Sequence, residues 1–182
     1  MNGSKQTLVA LVENKPGVLN RVASLFRRRN FNIDSLTVGR TESPHFSRMT
    51  IVVEANGEQV QKQLYKLINV IQVEEVTEVP SISRDLALIK VKVNSKTRSE
   101  VVQICDIFRA RIVDAAPETL IVEVTGDEEK ITSMVELLRP IGIMEMVRTG
   151  VVTMSRGEHV LAPADYEVRS NGNGHSSWAN VL

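Results

Sequence analysis

Cysteine is almost absent from this chain of 182 residues. The single copy, Cys105, cannot close an internal disulfide, so the fold must rest on a buried core rather than on covalent staples. Aromatic residues are scarce at 4%, which leaves few ring faces on which bases could stack. An excess of one charge is also missing, because Lys plus Arg and Asp plus Glu each number 22. Zero net charge gives no electrostatic case for a polyanion, and no nucleic-acid partner is expected. The three histidines, His45, His159 and His175, are scattered over a turn, a late segment and the end of the chain. They offer neither metal-ligand spacing nor a base for a Ser or Cys nucleophile, so no metal site and no catalytic residue is expected. No apolar run approaches the roughly twenty residues of a bilayer span, and no membrane segment is expected. Met1 to Lys5 lead into a strand pattern rather than a basic-then-apolar leader, which makes the expected location cytoplasmic.

What is present is a packed composition, 42% hydrophobic and 24% charged, in a length that suits two small domains. Residues 6–13 read as a strand that is apolar on both faces: Leu8, Ala10 and Val12 alternate with Thr7, Val9, Leu11 and Glu13. Over 18–30, Val18, Leu19, Val22, Leu25 and Phe26 form one helical stripe. Residues 32–39 are a second strand, Glu42 to His45 a turn, and Arg48 to Glu54 a third strand closed by Asn56-Gly57. A second helix carries Val60, Leu64, Leu67, Ile68 and Ile71, and Val73 to Val79 end the unit before Pro80. The order is β-α-β-β-α-β.

The same order returns after Pro80-Ser81-Ile82-Ser83. Leu86 to Val93 is a strand, Val101, Ile104, Cys105 and Phe108 mark a helix, and Ile112 to Ala115 with Leu120 to Gly126 form a hairpin around Pro117-Glu118. Ile107-Phe108-Arg109 echoes Leu25-Phe26-Arg27, and Gly126 takes the part of Gly57. Ile131, Met134, Val135 and Leu138 mark a helix stopped by Pro140, and Ile143 to Val151 supply a last strand. The expected fold is therefore α+β, two ferredoxin-like β-α-β-β-α-β domains over 1–80 and 81–158 with a flexible tail over 159–182.

The stretch Glu13 to Leu19 is where chemistry of recognition is expected. A Pro-Gly turn there delivers a strand into a helix N-terminus, whose backbone N–H groups suit a carboxylate, beside Asn14, which can donate and accept. Asn14, Pro16 and Gly17 could equally be a tight strand-to-helix connection, and Asn32 a helix C-cap or turn residue. Arg27-Arg28-Arg29 suits the C-terminal end of a helix dipole, and Cys105 a buried inert thiol. The second unit's first turn, Val93-Asn94-Ser95-Lys96-Thr97-Arg98, has neither the Pro nor the Gly. An RNA-binding module would need aromatics on its middle strands, and Thr50–Glu54 and Leu120–Val124 have none. An acylphosphatase-like enzyme would want an Arg in the first turn, where this chain has Lys15 and Pro16.

Asn14-Lys15-Pro16-Gly17-Val18-Leu19 resembles the turn of an ACT domain. Taken with Phe31 to Val38, Ser47 to Ile51, Ile107 to Asp114 and Arg148 to Val152, the chain resembles the small regulatory subunit of acetohydroxyacid synthase (acetolactate synthase) over about residues 6 to 158. That resemblance implies an N-terminal ACT domain, no active site and no cofactor of its own. It further implies a separate catalytic subunit that uses thiamine diphosphate, Mg and FAD, is activated by this chain, and becomes sensitive to feedback by valine, with leucine or isoleucine as further effectors. Carried onto this sequence, the effector contacts are Asn14, Gly17, Val18 and Leu19, with Asn32 and Ile33 supplied by a second copy in a homodimer of ACT domains. The rival expectation is a free-standing ACT-type sensor that regulates another enzyme.

Overall fold

A computed structural model describes residues 5–162. The elements in chain order are β1 (Gln6–Glu13), α1 (Val18–Arg29), β2 (Ile33–Arg40), β3 (Phe46–Val53), α2 (Gly57–Leu64), β4 (Val70–Glu75), β5 (Ser81–Lys92), α3 (Thr97–Phe108), β6 (Arg111–Ala115), β7 (Thr119–Gly126), α4 (Glu128–Gly142), β8 (Ile143–Arg148) and β9 (Val152–Ser155). The strands make two antiparallel sheets, ordered β2-β3-β1-β4 and β6-β7-β5-β8, with β9 pairing to β5. Both units are ferredoxin-like, and of the tail expected over 159–182 residues 163–182 lie outside the described residues. No described helix is long and apolar enough to cross a membrane.

In the first unit, β1 lies between β3 and β4. Leu8, Ala10 and Val12 pack into the core with Val22, Phe26 and Ile51, while Val9 and Leu11 are buried on the opposite face. This is why β1 carries apolar residues at every position from Leu8 to Val12. The helix stripe expected in α1 is observed through Val18, Val22, Leu25 and Phe26, whereas Leu19 is 47% exposed. Asn30, at φ 55°, ends the helix, with its N–H on Arg27 O and the Phe31 N–H on Phe26 O. Phe31 then meets Phe26 edge to face at 5.8 Å. In the second unit, Ala87, Ile89 and Val91 pack against Val101, Ile131 and Met134 in the same manner.

Several details depart from the sequence reading. The second helix ends at Leu64: Leu67 is in a turn, Ile68 is 84% exposed and Ile71 belongs to β4. Pairing of β4 with β1 overrides the helical spacing there, and Gln61 Nε2 and the Tyr65 hydroxyl both donate to Val73 O, tying helix to strand. Pro140 does not stop α4, which runs on to Gly142. Its missing N–H costs one bond in the last turn only, and Gly142 at φ 121° makes the exit. The expected last strand divides at Gly150, φ 84°, into β8 and β9.

The repeat is also in a different register from the one the echo suggests. Arg109, at φ 50°, is the counterpart of Asn30, so Cys105 matches Phe26 and Ile107, 74% exposed, matches Arg28. Helix caps differ likewise. Asn56 caps α2 by accepting from Gln59 N and Asp127 caps α4 by accepting from Lys130 N, so Gly57 follows its cap while Gly126 precedes one. Ile82–Met154 form one compact unit and the remaining described residues the other. Residues 155–162 therefore group with the first unit, where Arg156 N donates to Pro80 O and His159 Nε2 lies 2.7 Å from Glu74 Oε2.

One buried carboxylate organises the start of the second sheet. Asp85, 2% exposed, accepts from Arg148 Nε at 2.7 Å and from the Thr149 hydroxyl at 3.1 Å, locking the end of β8 to β5. Asp85→Ala leaves a partly buried guanidinium unpaired and is expected to lower stability by about 2 kcal/mol. A urea unfolding curve with an unchanged midpoint would contradict that role.

Candidate functional site

The turn from β1 to α1 is held open by its backbone. Gly17 sits at φ 82°, the left-handed region, and an added Cβ there would meet nothing within 4 Å. It is the residue before α1, and no side chain caps the helix. The first α1 N–H groups thus have no helical carbonyl and no capping side chain, and Val18 N makes only a long 3.4 Å hydrogen bond to Lys15 O. No acidic residue lies in the first turn to oppose an incoming anion. Beyond the turn, Leu19 stands exposed and Val18 is buried.

Two neighbouring loops fix the turn in place. On one side, Asn14 N donates to His45 O at 2.7 Å and Asn14 Nδ2 donates to Pro44 O at 2.9 Å, tying the turn to the tip of the β2–β3 hairpin. That tip is braced by the Thr41 hydroxyl, which donates to Ser43 O and Phe46 O and accepts from Ser43 N. On the other side, the Glu13 carboxylate accepts from Asn69 Nδ2 and from Lys15 Nζ, while Arg21 Nη1 donates to Asn69 Oδ1 at 2.9 Å. The Asn69 hydrogen bond, helped by Lys15, holds the Glu13 carboxyl below its ordinary range. Sequence reasoning missed Asn69, Arg21 and the hairpin carbonyls. Asn69 falls inside what reads as a helix, and a backbone carbonyl leaves no residue-type signal at all.

Asn32 and Ile33 stand apart from this turn. Asn30, not Asn32, caps α1, so Asn32 is left exposed just before β2 with Ile33 half-buried at its start. Ile33 pairs with Val53, which also pairs with Gln6 at the beginning of β1. Asn14 follows the far end of β1, where Glu13 pairs with Phe46. At about 3.3 Å per residue, the length of β1 puts about 25 Å between the two places. Within one chain Asn14, Gly17, Val18 and Leu19 come together, and Asn32 and Ile33 do not join them.

Other titratable groups are accounted for by structure. Burial, with a smaller contribution from Asp106, pushes the Cys105 thiol up, which keeps it protonated and unreactive. Arg27, Arg28 and Arg29 occupy the last turn of α1. His159 pairs with Glu74, and His175 lies outside the described residues. No group of three or more His, Cys, Asp or Glu side chains that could hold a metal ion occurs among the described residues.

Comparison with known proteins agrees with the division into two units. Residues 8–72 match a family described as the AHAS small subunit-like ACT domain, and residues 84–157 match the small subunit of acetolactate synthase. The chain is 56% identical over 156 residues to a probable acetolactate synthase small subunit of Archaeoglobus fulgidus, covering 84% of this chain and 98% of that one. It is 49% identical over 167 residues to an acetolactate synthase small subunit of Mycobacterium bovis, covering 90% and 99%. Among solved structures, the acetolactate synthase small subunit of Thermotoga maritima superposes with a TM-score of 0.79 at 40% identity, covering 86% of this chain and 99% of that one. With an ACT-type first unit, a matching second unit and relatives aligned along nearly their whole length, the chain belongs to the family of acetolactate synthase small subunits, the regulatory partners of that enzyme.

Proposed function

We propose that this chain activates a separate acetolactate synthase catalytic subunit and confers feedback inhibition by valine, with leucine or isoleucine as related effectors. The observation that carries this reading is the uncapped start of α1 at Gly17, set beside Asn14 and the exposed Leu19. The effector carboxylate would take the first α1 N–H groups, Asn14 would contact its polar head, and Leu19 would meet its branched side chain over Val18. Thiamine diphosphate, Mg and FAD would belong to the catalytic subunit, and this chain would be non-catalytic.

The site is a half-site in this reading. Asn32, just before edge strand β2, and Ile33, its first residue, lie about 25 Å from the turn of their own chain. A two-fold pairing of β2 against β2 would carry the start of one strand to the end of the other, beside the Thr41–His45 tip and hence beside Asn14. An effector bridging that junction favours one dimer geometry. Inhibition follows if the inhibited state binds effector more tightly than the active one, a coupling typically of about 1–3 kcal/mol.

Two experiments test this. Gly17→Asp places a carboxylate against the effector's own, in a backbone conformation that Asp tolerates better than most residues. Loss of a charge-assisted contact predicts valine sensitivity falling by at least about tenfold, with activation of the reconstituted holoenzyme retained. Unchanged inhibition of that variant would refute the turn as the site. The second experiment mixes subunits: Asn14→Ala and Asn32→Ala chains should each lose effector binding alone, and a mixed dimer should regain one of its two sites. Failure of mixing to restore any binding would place the site within a single chain.

A further inference from the structure

The second unit contains a turn that matches the first residue for residue but is closed by its own side chains. Val93 N donates to Glu118 O at 2.8 Å as Asn14 N donates to His45 O, and α3 begins at Thr97 as α1 begins at Val18. Lys96 thus stands at the place of Gly17, Arg98 at that of Leu19, and Pro117 at that of Pro44. The differences between these matched positions are systematic. Where α1 is uncapped, Asn94 Oδ1 accepts from Lys96 N at 2.8 Å and from Thr97 N at 3.0 Å, and the Thr97 hydroxyl accepts from Asn94 N. Where Leu19 is exposed, Arg98 is half-buried, and its Nη2 donates to Ala116 O and Pro117 O at 2.6 Å each.

A cation in the first turn of a helix opposes the helix dipole, so Arg98 is held there by the hairpin carbonyls rather than by the helix. An oxygen on the helix N–H groups and a cation on the hairpin carbonyls are together the two poles of an amino acid zwitterion. Resting on the effector reading above, we infer that the second unit is a permanently filled copy of the effector half-site, with Asn94 in place of the ligand's carboxylate and Arg98 in place of its ammonium. The filled copy identifies the groups that are used in the first unit. The carboxylate takes the N–H of Gly17 and that of Val18, displacing the latter's long 3.4 Å bond to Lys15 O, and the ammonium takes the Pro44 carbonyl, which has a second lone pair beyond the one given to Asn14. Each chain therefore binds one effector molecule, in its first unit only.

The test transplants the plug. Leu19→Arg in the full chain puts a guanidinium within reach of Pro44 O, and Leu19→Gln removes the same apolar contact without adding charge. Calorimetric titration with valine should show one equivalent per chain for the wild type. Leu19→Arg should bind at least about tenfold more weakly than Leu19→Gln. Equal affinity of the two variants, or two equivalents per wild-type chain, would overturn the inference. A wild type that takes up no branched-chain amino acid would instead refute the effector reading. The plug is then judged by Arg98→Leu, which should speed hydrogen exchange of the Val93 amide by freeing the Ala116–Glu118 tip, and an unchanged rate there would overturn it.

Discussion

The first N–H groups of a helix must find acceptors outside that helix, and this requirement shapes both halves of the molecule. In the second unit Asn94 meets it with its own side-chain oxygen, and Asp127 and Asn56 do the same for α4 and α2. By contrast α1 is preceded by Gly17 in a left-handed conformation, and no side-chain hydrogen bond caps it. That unmet requirement is stabilised by its surroundings. The turn is bonded to the β2–β3 tip through Asn14 and to the loop before β4 through Glu13 and Asn69, so its donors are aimed before any ligand arrives. Preorganisation of this kind reduces the ordering cost of binding.

Sheet topology sets the second constraint. In the order β2-β3-β1-β4, β1 and β2 run in the same direction, so the end of β1 and the start of β2 lie at opposite ends of the sheet. A ligand a few ångströms long cannot touch both within one chain. In the proposed edge-paired dimer the neighbouring β2 would run in the reverse direction and the distance would vanish, so that effector binding would be linked to subunit geometry through the same strand. The hairpin tip that holds Asn14 is continuous with that strand, so hydrogen bonds tie the turn to the edge.

Much of this was legible from the residues. Period-2 and period-3.6 patterns located the repeated β-α-β-β-α-β units because each element buries one face or one stripe, and β1 showed its double burial through Val9 and Leu11. The errors fell where two periodicities overlap or where long-range pairing decides. Ile71 continues a helical spacing but lies in β4, at the irregularity where that strand pairs with β1. The resemblance of Ile107-Phe108-Arg109 to Leu25-Phe26-Arg27 is a likeness of composition, since the αL caps at Asn30 and Arg109 set the true register.

The sequence by itself determined the two-unit α+β fold, the special conformation at Gly17 and the difference between the first turn and the second. Those follow from local chemistry: apolar period, glycine's freedom at positive φ, and the donors of a helix end. Tertiary structure decided what surrounds the turn. The carbonyls of Pro44 and His45, the Asn69 amide and the Arg98 plug act through contacts between segments distant in the chain, and backbone groups carry no identity that a sequence can display. The separation of about 25 Å between Asn14 and Asn32 is likewise a property of strand order and register, which places two nearby sequence signals at opposite ends of one sheet.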